Sequence, residues 1–175
     1  MLDILGIIFL LCVFIYWFYY RYRSEKFGAP FVPLEPQVVE RVMLHSHLTP
    51  GKIFYDLGSG DGRIVVAAAL HEAKAYGVEI STSRVIYSRL WLYILRLNDR
   101  AKIIKKDLFS VNLSDADVVC MYLLQRTNNK LKKKLEKELK KGTRVISVSF
   151  SFPGWKPKIV DPFGTKYGPI YVYDR

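Results

Sequence analysis

Residues 53–63 read Ile53-Phe54-Tyr55-Asp56-Leu57-Gly58-Ser59-Gly60-Asp61-Gly62-Arg63, an apolar strand that runs straight into a Gly-x-Gly-x-Gly turn. Glycines at 58, 60 and 62 let the chain turn sharply with positive φ. They also let a ligand lie against the main chain with no Cβ in the way. About twenty positions on, a second apolar strand closes at Glu79, where a carboxylate can accept hydrogen bonds from both hydroxyls of a ribose. Together these features predict a nucleoside cofactor site. Asp56 before the turn and Asp61 inside it argue against a pyrophosphate, which two carboxylates at a helix N-terminus would repel. A cofactor with a cationic amino-acid end suits the same place, so the turn favours S-adenosylmethionine over NAD.

Working outward, Arg63–Leu70 is an Ala-rich helix able to pack closely on a sheet. The residues that follow predict a strand over 75–80, a helix over 81–97 and a strand over 101–106 that leads to Asp107. Strands alternating with helices imply a doubly wound, Rossmann-like α/β sheet with helices on both faces and its ligand at the carboxyl ends of the strands. Asp56, Glu79 and Asp107 all fall at such ends. Further strands are expected over 117–124 and 143–150, with a closing pair over 158–161 and 169–173. The end of the fourth strand, Met121-Tyr122-Leu123-Leu124, lacks the Asn or Asp that adenine-amino methyltransferases place there to orient their nucleophile. That chemistry is therefore disfavoured.

The first twenty-odd positions carry a different signal. Ile4 to Tyr20 holds no charged side chain and ends in Tyr16-Trp17-Phe18-Tyr19-Tyr20, followed by Arg21, Arg23 and Lys26. As a helix the run would reach about 25 Å at ~1.5 Å per residue, against a bilayer core about 30 Å thick. The expectation is a single transmembrane anchor over residues 1–23. The flanking cations place the catalytic domain in the cytoplasm. A cleaved signal peptide fits less well, because Asp3 occupies the n-region and no small-x-small site follows. Residues 24–36, with Gly28, Pro30, Pro33 and Pro36, read as a stiff linker. Residues 37–175 make the catalytic domain, led by a helix over 38–48. Phe31 and Pro33 are candidates for the entrance of its crevice.

The 175-residue chain has a net charge of +11, much of it late in the sequence. Lysines at 130, 132, 133, 134, 137, 140 and 141 surround Leu131, Leu135 and Leu139, which recur every fourth residue and face the sheet. With an anchor upstream, an anionic lipid surface is the expected partner of this basic helix. Nucleic acid is disfavoured, since no aromatic side chain is interleaved there to stack bases. Neither Cys12 and Cys120 nor His45, His47 and His71 form a metal-ligand spacing, so no metal is expected.

Five segments resemble a known family: Tyr55–Val65, Tyr76–Ile80, Asp107-Leu108-Phe109 with Asp117-Val118-Val119, Leu135–Ser147, and Phe152-Pro153-Gly154-Trp155-Lys156-Pro157. They are similar to the small seven-strand protein lysine methyltransferases. That group includes the broad-specificity archaeal enzyme and the mitochondrial enzyme acting on the ATP synthase c subunit. The resemblance implies a seven-strand class I fold with the last strand antiparallel, S-adenosylmethionine as cofactor, and transfer to lysine ε-amines; together with the anchor it makes a protein near the membrane the expected substrate. By position it implies that Asp56, Gly58 and Gly60 hold the methionine end, Glu79 the ribose, and Asp107 with Leu108 the adenine. The acceptor amine must be neutral, which a dry aromatic slot promotes. Tyr122 is the candidate catalytic residue there, with Phe31, Phe150 and Trp155 as candidate substrate-binding residues. A methyltransferase for a lipid or small molecule, and a non-catalytic cofactor-binding module, are the alternative readings.

Overall fold

The structure, a computed structural model, describes residues 4–27 and 31–175. They fall into two compact units, one ending at Phe31 and the other Val32–Arg175. The first contains α1 (Ile4–Phe27), whose described side chains up to Tyr16 are largely exposed. The helix runs through Ser24–Phe27, which the sequence reading assigned to a linker. Those four residues contain neither Gly nor Pro, and the breakers come only at Gly28 and Pro30. The expected transmembrane span is not supported: among the described residues no helix is long and apolar enough to cross a membrane. Charges enter α1 from Arg21 onward, so its uncharged part stays near the 25 Å reach that falls short of a bilayer core of about 30 Å.

The second unit opens with α2 (Pro36–Ser46). Pro36 takes the first turn, and His47 ends the helix in a left-handed conformation, φ 46°. Then come β1 (Ile53–Leu57), α3 (Arg63–Leu70), β2 (Lys74–Glu79), α4 (Thr82–Ile94), β3 (Ala101–Lys105) and one 3-10 turn at Leu108–Ser110. β4 (Val118–Met121), α5 (Gln125–Glu138), β5 (Arg144–Val148), β6 (Ile159–Thr165) and β7 (Gly168–Asp174) complete it. The seven strands form one sheet in the order β3-β2-β1-β4-β5-β7-β6. β7 is antiparallel to both neighbours, β5 and β6, as expected for the closing strand.

Alternation along the strands splits the core into two layers. Phe54 of β1 and Val118 and Cys120 of β4 join Val42, Val65, Leu92 and Ile103 on the face covered by α2, α3 and α4. Tyr55, Leu57, Val119 and Met121 join Leu131, Leu135, Phe152 and Tyr173 on the face covered by α5. Gly77 of β2 is what allows α3 to sit so close. A Cβ there would lie 2.8 Å from side-chain carbons of both Val65 and Ile103. Several boundaries differ from expectation: α2 starts and ends two residues early, α4 stops at Ile94, β5 at Val148, and β6 runs on to Thr165. β4 stops at Met121, because Leu124 is already the extended cap of α5, and α5 begins at Gln125 and ends at Glu138.

Candidate active site

The turn after β1 is built as its glycines demand. Gly58, Gly60 and Gly62 have φ of 83°, 54° and 85°, which L side chains rarely adopt. Gly58 is also close-packed: a Cβ there would come within 2.8 Å of Leu123 Cδ2. The amides of Gly58 and Ser59 both donate to the Val78 carbonyl, at 2.8 and 3.0 Å. The Gly60 amide donates to Glu79 Oε2 at 3.0 Å. From the other side the buried Ser88 hydroxyl of α4 donates to the Gly60 carbonyl at 3.0 Å. The turn is thereby clamped between the end of β2 and α4.

The strand-end carboxylates differ in how they are held. Glu79 is buried, and its Oε1 accepts from the amides of Ile80 (2.9 Å) and Ser81 (2.7 Å) and from Arg84 (3.2 Å). Its Oε2 accepts from Gly60 and has capacity for a second donor. Asp56 is fully buried, and burial, with the Asp61 and Glu79 carboxylates adding to it, pushes its carboxyl up to about 8. A cation placed beside it would relieve that electrostatic cost. Asp61 departs from the sequence reading. Its carboxylate is matched by Arg63, whose Nε lies 3.0 Å from both oxygens, and Arg63 also donates to the Leu34 carbonyl. Asp61 is thus paired with Arg63, as Glu79 is with Arg84, and the preference for a cationic cofactor rests on Asp56. Asp107 is exposed and follows β3. Its Oδ1 accepts from the Phe109 amide at 3.0 Å and caps the 3-10 turn. Leu108 next to it is half-buried against the α5-side core.

The candidate substrate residues do not all converge. β4 ends beside β1, with Met121 opposite Leu57; Leu123 meets the glycine turn, and half-buried Tyr122, between them, packs against the core on the α2 and α3 side. Phe150 follows the end of the adjacent β5. Its carbonyl accepts from Asn128 Nδ2 at 3.0 Å and from the Ser147 hydroxyl. Trp155 lies elsewhere. It packs on Phe152 and Tyr173 with centroids 4.6 and 5.4 Å apart, and Tyr173 pairs with Val145 near the start of β5. Its Nε1 donates to Glu136 at 2.8 Å, and the Arg175 guanidinium stacks 4.3 Å from its centroid. Trp155 is a packing aromatic at the far end of the sheet, placed there by the turn that leads from β5 back to β6. Phe31 is exposed and ends the first unit.

Several residues escaped the sequence reading. Ser88 was detectable as a lone serine on the buried Val85–Leu92 face of α4. Asn128, fully buried at the start of α5, ties Ser147 to the Phe150 carbonyl. His45 lies 2.6 Å from Asp161 Oδ2, which also accepts from Arg41 Nε at 2.7 Å. Three lysines of the basic segment are engaged within the domain. Lys134 bridges the Val111 carbonyl and Glu138, Lys132 donates to the Pro153 carbonyl, and Lys140, beyond the helix end, pairs with Asp117 at 2.7 Å. Among the described residues no group of His, Cys, Asp and Glu could hold a metal ion.

This strand order, with a glycine turn after β1 and acids closing β1 and β2, defines an S-adenosylmethionine-dependent methyltransferase of class I fold. Residues 56–159 match the sequence profile of the ANTKMT methyltransferase domain, and the chain belongs to that family. It is 44% identical over 149 residues to a protein-lysine N-methyltransferase of Saccharolobus islandicus, covering 83% of this chain and 92% of that protein. To the human lysine N-methyltransferase of the ATP synthase c subunit it is 36% identical over 86% of this chain, and it spans 63% of that relative's length. A solved RNA methyltransferase of Salinibacter ruber, in complex with S-adenosylhomocysteine, superposes with a TM-score of 0.76 at 34% identity. That match covers 82% of this chain and 93% of that one. A Geobacter sulfurreducens methyltransferase at 22% identity, covering 71% of this chain and 52% of its own with a TM-score of 0.59, shares the fold.

Proposed function

We propose that this chain is a protein lysine N-methyltransferase. The observation that carries the reading is the 44% identity to a protein-lysine N-methyltransferase across 92% of that relative's length. S-adenosylmethionine, when bound, supplies an electrophilic methyl group on a sulfonium. Asp56 at the end of β1, the Gly58–Gly60 turn and Glu79 are suited to its methionine end and its ribose, and Asp107 with Leu108 to its adenine. The protein's remaining task is to present a neutral amine in line. Tyr122 and Phe150, following adjacent strand ends, supply an aromatic wall that disfavours the ammonium form of a lysine whose ordinary pKa is about 10.4. Alignment and exclusion of water then supply most of the rate enhancement.

Membrane attachment with the catalytic domain on the cytoplasmic side is the finer part of the proposal. It is supported by the uncharged run Ile4–Tyr20 and the cations at Arg21 and Arg23. RNA is the second acceptor to test, because the Salinibacter protein is named an RNA methyltransferase. The purified protein, labelled S-adenosylmethionine and a membrane extract decide among these readings. Label that survives ribonuclease, is lost to protease and maps by mass spectrometry to lysine supports the proposal. Label in RNA or in the lipid phase overturns it.

A further inference from the structure

α4 has two apolar faces, and only one of them is buried. Val85, Ser88 and Leu92 face the sheet. On the opposite side Ile86, Tyr87, Leu90, Tyr93 and Ile94 follow the helical repeat and are 62%, 57%, 56%, 71% and 65% exposed. A soluble helix normally carries polar residues on that outer face, and a contiguous apolar patch marks an interaction surface. Residues 82–98 contain Arg84, Arg89 and Arg96 and no acidic residue; Arg84 pairs with the buried Glu79, and Asp99 and Arg100 follow as a pair of their own. Arg89 is anchored at the edge of the stripe, its Nη2 donating to the Ile103 carbonyl at 2.8 Å.

We infer that the outer face of α4 lies in the interface of an anionic lipid bilayer. Aliphatic side chains interleaved with tyrosines and edged by arginines are what an interfacial helix presents, with the apolar face reaching about 5–10 Å into the headgroup and acyl boundary. Anionic headgroups complement the arginines. A protein partner or a second copy fits less well. Five side chains on one helix are few beside the roughly 20–30 residues a side of a stable protein interface. The basic α5, by contrast, has no exposed apolar stripe to insert. The surface is independent of which acceptor the enzyme methylates. It also keeps the crevice close to the bilayer, because α4 begins three residues after Glu79.

The test uses the full chain with Cys12→Ser and a nitroxide spin label at Leu90→Cys or, as a comparison, at Lys133→Cys on α5. Each protein is mixed with vesicles of phosphatidylcholine alone or with one third phosphatidylglycerol. The expected result is a label at position 90 that is open to an aqueous relaxing agent in lipid-free protein and becomes shielded from it, and open to oxygen, on anionic vesicles. The label at 133 stays in water. A position-90 label that remains water-accessible on vesicles carrying the protein overturns the inference. So does one already shielded without lipid, which would mean that protein covers the stripe.

Discussion

Asp56 shows how one buried charge can shape both stability and binding. The free protein holds its carboxyl protonated below about pH 8, whereas an unfolded aspartate releases its proton near 3.9. The folded state therefore binds the extra proton between those values, and stability falls as pH rises through that window. A cationic cofactor beside Asp56 favours the ionised form and expels the proton. Affinity for S-adenosylmethionine should then rise between pH 6 and 7.5 by up to about tenfold per unit. Asp56→Asn should flatten that rise relative to wild type and leave the free protein more stable at pH 8. Calorimetry in two buffers of different ionisation enthalpy measures the expelled proton directly, and equal pH profiles for both proteins would remove the assignment. Glu79→Ala should weaken cofactor affinity at least about tenfold, since a hydrogen bond to a charged acceptor contributes about 1.5–3 kcal/mol. Titration of a variant shown by circular dichroism to be folded checks it, and unchanged affinity would exclude a ribose role. These residues were legible because strand, turn and acid follow one another at short range. The pairing of Asp61 with Arg63 was not, since spacing does not reveal which way a turn's carboxylate points. Trp155 was misplaced because its motif resemblance says nothing of which end of the sheet its loop crosses.

At the scale of elements, α2 is fastened over the sheet by a buried ion cluster rather than by apolar packing alone. Burial by itself would push Asp161 up, yet bonds from His45, the Phe163 amide and Arg41 hold it below the ordinary carboxylate range. The Arg144 guanidinium adds a hydrogen bond to the His45 carbonyl at 3.0 Å. A depressed acid stabilises the fold above its unfolded pKa and loses that contribution as pH falls through the folded value. Asp161→Ala leaves Arg41 and His45 without their acceptor. Its expected cost is about 2–3 kcal/mol, discounted from the usual range for a broken buried pair because Arg41 is partly exposed. Thermal unfolding should show that difference at pH 7 and a smaller one below about pH 4; a constant difference would mean lost packing only. None of this cluster was readable from sequence, since Arg41 and Asp161 lie 120 positions apart. The elements themselves were readable. Short apolar runs marked every strand, the sixth only in its first residues, and the Leu131–Leu135 repeat marked the buried face of α5. Their ends depended on contacts: β4 stops where Leu57 and Ser147 run out of partners for it.

For the whole molecule, the proposed N-terminal attachment and cofactor binding can be separated by truncation. Both core layers and every residue assigned to the cofactor lie within Val32–Arg175. A protein beginning at Lys26 should bind S-adenosylmethionine within about twofold of the full chain, a difference under about 0.5 kcal/mol. It should also methylate lysines of accessible proteins in vitro. In cells the same truncation should lose most methylation of a membrane-proximal target, because confinement to a thin layer raises the effective concentration of enzyme at its substrate. An unrelated apolar helix of equal length with the same flanking arginines should restore it. Quantitative mass spectrometry of the target lysine compares the three proteins. Equal methylation by the truncated and full chains would show that the N-terminal helix does not position the enzyme. Loss of cofactor binding on truncation would instead show that α1 is part of the catalytic machinery. Retention of the truncated protein on anionic membranes at low salt and its release at high salt would leave α4 and its arginines as the attachment, since that contact depends on screened charge.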